Sequence, residues 1–167
     1  MSAPVVRVHV SVGSNEAPEA HIHRGLAALE RTVGPLQRSP VYRNPAVGFE
    51  GADFFNLVVS FNTALPLQDI ARCLRDIEQA EGRTRGEARF APRTLDLDIL
   101  TYGNTILTSG PLRLPRDDIL EYAFVLKPLA DNAPHEVHPV CGETYAALWA
   151  AFDTADQVLD VVPEFPA

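Results

Sequence analysis

Cysteine is scarce in this chain. Cys73 and Cys141 are the two among 167 residues, with no CxxC and no paired spacing. That argues against a disulfide scaffold and a cysteine-built zinc site, and it fits a reducing, cytoplasmic setting. Long apolar runs are missing too. No stretch of about 18 apolar residues occurs, so no membrane-spanning helix is expected. The early VVRVHVSVG alternates apolar with polar residues, so it reads as a strand and not as the unbroken apolar core of a signal peptide. Positive charge is in deficit: 14 Lys and Arg against 22 Asp and Glu give a formal net charge of -8. An acidic chain repels phosphate at long range, so nucleic acid and anionic membranes are poor partners. Neither a P-loop signature nor G-x-G-x-x-G is present, so any nucleotide is bound by other means. Ser-His-Asp hydrolysis has no nucleophile-elbow motif behind it. There is no internal repeat and no low-complexity segment, and no obligate protein partner is inferred.

What is present is ordinary for a globular chain: 46% hydrophobic and 22% charged residues, enough length for one domain with its own core. Val6, Val8, Val10 and Val12 alternate with Arg7, His9 and Ser11, which predicts a strand ending at the turn Gly13-Ser14-Asn15. Helix spacing follows over 18–33, stopped by Gly34-Pro35. Residues 36–43 predict a second strand, placed at an edge by Pro40. Residues 44–53 form a long loop of the kind that carries function. FFNLVVSFNT (54–63) is a strong strand, Pro66 opens a helix ending at Gly82, and TLDLDILTYG (94–103) is another strand with NTIL as a short hairpin partner. Tyr122 to Leu129 predicts a short helix broken at Pro128, and Thr144 to Phe152 a last helix. The expected organisation is a domain over 1–152 and a tail over 153–167, with Val158 to Val162 a strand or a loosely docked end. The order of elements points to an α+β, ferredoxin-like antiparallel sheet with flanking helices, its first and fourth strands side by side at the centre. That would bring Gly13-Ser14-Asn15 close to Asp96 and Asp98.

The most informative stretch is Arg83 to Asp98, RTRGEARFAPRTLDLD. Arg83, Arg85, Arg89 and Arg93 sit in a bendable loop, and arginine is the side chain suited to bidentate phosphate recognition. On a strand, residues two apart share a face, so Asp96 and Asp98 project together while Leu95, Leu97 and Ile99 fill the other side. Paired carboxylates stay ionised only beside a cation, and magnesium commonly takes one or two carboxylates together with substrate phosphates. The alternative is a solvated strand face next to a basic loop paired with Glu78, Glu81 and Glu87. His21 and His23 face different ways on a helix, and His135 and His138 lack further ligands, so neither pair reads as a metal site. Phe49, Phe54, Phe55 and Phe90 flank the two loops; most belong in the core, with one or two available to stack on a flat heterocycle.

Arg89-Phe90-Ala91-Pro92-Arg93-Thr94-Leu95-Asp96-Leu97-Asp98 resembles the signature of the 6-hydroxymethyl-7,8-dihydropterin pyrophosphokinase family. Gly13-Ser14-Asn15, Tyr42-Arg43-Asn44-Pro45, Phe54-Phe55-Asn56, and Glu78 with Gly82-Arg83-Thr84-Arg85 match in order, so the resemblance covers roughly residues 5 to 150. It implies transfer of pyrophosphate from ATP to the hydroxymethyl group of the dihydropterin, releasing AMP, in folate biosynthesis. Asp96 and Asp98 would hold two magnesium ions. Arg83 and Arg93 would contact phosphate oxygens, with Arg85 and Arg89 on the closing loop and Glu78, Ile99 and Arg116 completing the ATP side. Asn56 would bond the pterin edge, Phe54 and Phe124 would sandwich its ring, and Gly13, Asn44, Pro45, Ala46, Val47 and Asp96 would border it. The chain departs from the family at residues 116–122: Arg116 stands where a histidine is usual and Tyr122 where an arginine is usual. Besides the pyrophosphokinase, the alternatives are a divergent paralogue with weak activity or another pterin substrate, and a non-catalytic ferredoxin-like binding module.

Overall fold

Alternating valines form β1 (Val6–Ser14), an interior strand of the sheet. After it come α1 (Pro18–Val33), β2 (Gln37–Arg38), β3 (Val41–Asn44), β4 (Phe54–Thr63), α2 (Leu67–Ala80) and β5 (Asp96–Tyr102). The chain closes with α3 (Asp118–Glu121), α4 (Ala123–Asn132), α5 (Tyr145–Ala151) and β6 (Asp160–Val162). These elements come from a computed structural model that describes residues 4–45, 52–82, 94–163 and 165. The sheet runs β5-β1-β4-β3-β6, with β2 also on β4, and every pairing is antiparallel. The α+β sheet with flanking helices matches the sequence expectation.

One face of the sheet is apolar. Val8, Val10 and Val12 join Leu57, Val59, Phe61, Leu95, Leu97 and Ile99, and α1 and α2 close over them with Ile22, Leu26, Leu29, Ile70, Leu74 and Ile77. The opposite face packs Val58 and Leu100 under Val125, Leu126 and Leu129 of α4 and Tyr145 of α5. Polar residues also lie on that second face. His9 Nδ1 meets Ser60 Oγ at 2.6 Å, His9 Nε2 meets Glu136 Oε1 at 3.0 Å, and Asn132 donates to Ser60 Oγ at 3.0 Å. Ser60 is 0% exposed, so this serine–histidine–glutamate row clamps α4 and the 133–138 turn to the sheet and admits no substrate.

The structure corrects five expectations. The strand expected over 36–43 is two strands, because Pro40 lacks an N–H and interrupts the ladder. Ser39 bridges the gap: its N–H donates to Val58 O and its hydroxyl accepts from Val58 N–H, both at 2.9 Å. Its second half is not an edge either, since β3 is covered by β6 (Tyr42 opposite Val161). Leu107, in NTIL, bridges Leu114 and not the 94–103 strand, the turn at Gly103 sending the chain away. The helix expected over Tyr122 to Leu129 does not break at Pro128. Pro128 forfeits the bond its N–H would have made to Phe124 O, and burial of Val125, Leu126, Leu129 and Ala130 outweighs that loss, so α4 runs on to Asn132. Finally, the first and fourth predicted strands (β1 and β5) are neighbours as expected, but β5 pairs only with β1 among the described strands and ends the sheet.

Candidate active site

In an antiparallel sheet the ends of alternate strands meet at one rim. Here the C-terminal ends of β1 and β3 meet the N-terminal ends of β4 and β5. Cross-strand partners share a face. Tyr42 is opposite Asn56, Asn56 opposite Gly13, and Gly13 opposite Asp96, making one row across the sheet on the α4 side. One step inward, Ser11 is opposite both Val58 and Asp98. One step outward, Asn44 is opposite Phe54. The expected closeness of Gly13-Ser14-Asn15 to the two aspartates is therefore a consequence of register.

Packing within the row is tight. A Cβ on Gly13 would lie 2.7 Å from Asn56 Oδ1, so only glycine lets β1 pass this close to the asparagine. Asn56 Nδ2 donates to Asn44 Oδ1, and Asn44 Nδ2 to Pro45 O at 3.0 Å, fixing both buried amides. The Tyr42 hydroxyl donates to Asp131. Burial first, and then that carboxylate, push the phenol well above its ordinary range, so it stays a donor. Ser14 Oγ donates to Thr94 O at 2.6 Å and Asn15 Nδ2 to Ala52 O at 3.3 Å, tying the end of β1 to the segments on either side. Asn15 is 5% exposed and braces the rim.

Asp96 and Asp98 are half-buried on β5, on the polar face, with Leu97 buried between them on the other. Glu78 is 8% exposed, and its Oε2 accepts the Leu97 N–H at 2.9 Å. In this position it holds the outer edge of β5 midway between the two aspartates. Arg116 supplies a cation: Nη2 lies 3.8 Å from Asp98 Oδ2, and Nε donates to Asp118 Oδ2 at 3.2 Å. Burial works against the Arg116 charge, but Asp98, Asp118 and Asp96 outweigh it and raise its pKa, so the guanidinium is firmly ionised. Asp118 aims Arg116, and Asp117 pairs with Arg113 at 3.8 Å.

A cavity of about 340 Å³ opens beside this row, lined by Asn44, Pro45, Tyr122, Phe124, Asp156 and Gln157 among others. Phe124 stacks on Tyr122 with ring centres 4.9 Å apart and planes 24° from parallel. Of the residues expected at the site, the structure brings together Gly13, Asn44, Pro45, Phe54, Asn56, Asp96, Asp98, Arg116 and Phe124 at one end of the sheet. Ile99 is not among them: strand alternation turns its side chain, 3% exposed, into the α1/α2 core. Arg83, Arg85, Arg89, Arg93, Ala46 and Val47 lie outside the described residues, as do Phe49 and Phe90. Sequence reasoning missed Gln157 and the Tyr122–Phe124 stack. Neither carries a local motif.

Among the described residues no group of three metal-ligating side chains occurs. Two half-buried carboxylates on one strand face still suit magnesium, which completes its shell with phosphate and water. No described helix is long and apolar enough to cross a membrane.

The family model described as 7,8-dihydro-6-hydroxymethylpterin-pyrophosphokinase matches residues 9–134. The 2-amino-4-hydroxy-6-hydroxymethyldihydropteridine pyrophosphokinase of Pseudomonas aeruginosa is 40% identical over 136 residues, covering 78% of this chain and 82% of that protein. The enzyme of the same name from Methylorubrum extorquens is 35% identical over 153 residues, covering 89% and 95%. Among solved structures, wild-type Plasmodium falciparum HPPK-DHPS superposes with a TM-score of 0.66 at 12% identity, over 88% of this chain and 44% of that one, a likeness of fold. With this signature, this row of strand ends and these relatives, the chain belongs to the 7,8-dihydro-6-hydroxymethylpterin-pyrophosphokinase family.

Proposed function

We propose that this protein transfers the pyrophosphoryl group of ATP to the hydroxymethyl oxygen of 6-hydroxymethyl-7,8-dihydropterin. A new bond forms from that oxygen to the β-phosphorus, the bond between that phosphorus and the bridging oxygen of the α-phosphate breaks, AMP leaves, and the hydroxyl proton is released. The observation that carries the reading is the row Asn56–Gly13–Asp96, which sets a pair of carboxylates beside a pocket of amides and an aromatic ring. Such transfers depend mostly on in-line positioning and charge neutralisation.

On this reading the pterin lies in the cavity at Asn44, Pro45 and Phe124, its polar edge on Asn56 and one flat face on Phe124. Phe54, Ala46 and Val47 complete its surroundings. Asp96 and Asp98 hold magnesium, which when bound neutralises triphosphate charge and polarises the reacting phosphoryl oxygens. Arg83, Arg85, Arg89 and Arg93 bind phosphate oxygens, as the signature suggests. Arg116, held by Asp118 next to Asp98, is the cation nearest the carboxylates among the described residues and takes the place of the usual histidine on the ATP side. Incubation with ATP, magnesium and the hydroxymethyl-dihydropterin, with nucleotides resolved by chromatography, should give AMP and the pterin diphosphate in equal amounts. Release of ADP, or no turnover, would refute the assignment.

A further inference from the structure

The chain between α3 and α4 turns at Tyr122, which is extended (φ -123, ψ 128) and offers no side-chain cap to α4. That turn leaves two backbone groups in need of partners, the C=O of Glu121 at the end of α3 and the N–H of Ala123 at the start of α4. Both are satisfied by one side chain from far along the sequence. Gln157 Oε1 accepts from Ala123 N–H at 2.7 Å, and Gln157 Nε2 donates to Glu121 O at 3.0 Å. The segment carrying Gln157 is itself organised. Asp153 Oδ1 accepts from Ala155 N–H, Thr154 O accepts from Gln157 N–H, and β6, which begins at Asp160, then pairs with β3 opposite Val41 to Arg43. A primary amide that grips both sides of Tyr122 fixes the backbone on which the Tyr122 and Phe124 rings stack. Asp156, Gln157 and Val158 line the same cavity as Phe124 and Asn44. The family match ends at residue 134, so it assigns nothing to this segment.

We propose that Gln157 is a positioning residue for pterin recognition: it holds the Tyr122–Phe124 ring pair against the pocket and makes residues 153–163 a wall of the active site. This rests on the pocket being the pterin site. Through Phe124 the clamp acts on the flat heterocycle and not on the triphosphate, whose partners lie at Asp96, Asp98 and Arg116.

The test is steady-state kinetics of Gln157→Ala with each substrate varied in turn. The KM for the dihydropterin should rise about tenfold, the scale of one lost cap, while the KM for ATP stays within about twofold. Gln157→Glu keeps the acceptor for Ala123 N–H and loses the donor to Glu121, so it should give an intermediate rise. It is also the deciding variant if Gln157→Ala fails to fold by circular dichroism. In a Phe124→Ala background, Gln157→Ala should add almost nothing, because the two changes act through one ring. An unchanged pterin KM, an equal rise in both KM values, or a full additional effect without the Phe124 ring would overturn the proposal. Wild type is run alongside. If it makes no AMP, the catalytic reading falls by itself, and the same tenfold criterion is applied to the pterin Kd from fluorescence titration. If wild type does not bind the pterin, both readings fall.

Discussion

Toward α1 and α2, β1 presents Val8, Val10 and Val12; toward α4 it presents His9, Ser11 and Gly13. β4 and β5 divide in the same way, with Leu57 and Leu97 on one side and Asn56, Asp96 and Asp98 on the other. Each strand thus serves two environments with a period of two residues. The α1/α2 face is apolar and covered by the two helices, and its contribution is burial, about 1.5–3 kcal/mol for each large aliphatic side chain. The α4 face gives up part of that gain, since α4 and α5 cover only its lower portion and leave the strand ends open to ligands. Stability and chemistry are therefore separable by face, and mutations can test whether they are.

The largest expected effect is on the open face. Asp96→Ala should lower AMP formation by on the order of 10³-fold, the scale of losing a principal electrostatic group, with little change in the unfolding midpoint. A matching drop in stability would show that the carboxylate is structural. On the closed face, Leu29→Ala empties a site that is 0% exposed and should cost about 2–5 kcal/mol in urea unfolding. The KM values of the folded fraction should not move, and a specific rise in either would break the division. Arg116→Ala is expected to raise the ATP KM about tenfold, or about 1.4 kcal/mol, while leaving the pterin KM alone. Unchanged ATP affinity would mean that Arg116 serves only Asp118 and Asp98.

The smallest effect is one of pH. Hydrogen bonding to His9 chiefly, and its charge and that of Arg7, hold the Glu136 carboxyl below its ordinary range despite burial. Burial holds His138 below the ordinary histidine range. With both native pKa values depressed, the unfolded chain binds protons first as pH falls. Stability should therefore be full near pH 7. It should decline as pH drops below about 6.5 through the His138 window, then further through the Glu136 window below about 4.3. Urea midpoints from pH 7.5 to 4 should show the first decline shrink in His138→Asn, which keeps an acceptor for the Val140 and Cys141 N–H groups. An identical pH profile in that variant would remove His138 as the cause.

Features that repeat locally were legible in the sequence. Val6 to Val12 announce a strand by alternation, and the same alternation at Leu95 to Ile99 puts both aspartates on one face. What alternation does not carry is anything decided by distant partners. Pro128 looks like a stop because local propensity says so, and the burial of its neighbours under α5 overrides it. Ser39 repairs the ladder beside Pro40 only because Val58 lies opposite. Ile99 matches the family pattern, yet its face turns it into the core. Gln157 is one polar residue in an unremarkable tail, and its meaning depends on a turn more than thirty residues earlier.

Glu78 on the outer edge of β5 has a consequence for folding fidelity. β5 is gripped from both sides, by β1 through the ladder and by the Glu78 carboxylate at Leu97 N–H. If β5 slid by one residue during assembly, every side chain would exchange faces. Asp96 and Asp98 would then point into the α1/α2 core, at a cost of several kcal/mol for each buried, unpaired charge. Leu97 would be left to the solvent. The carboxylates that make the rim chemically useful thus also act as a proofreading device, because the one misaligned sheet nearest in geometry is the one their charge forbids.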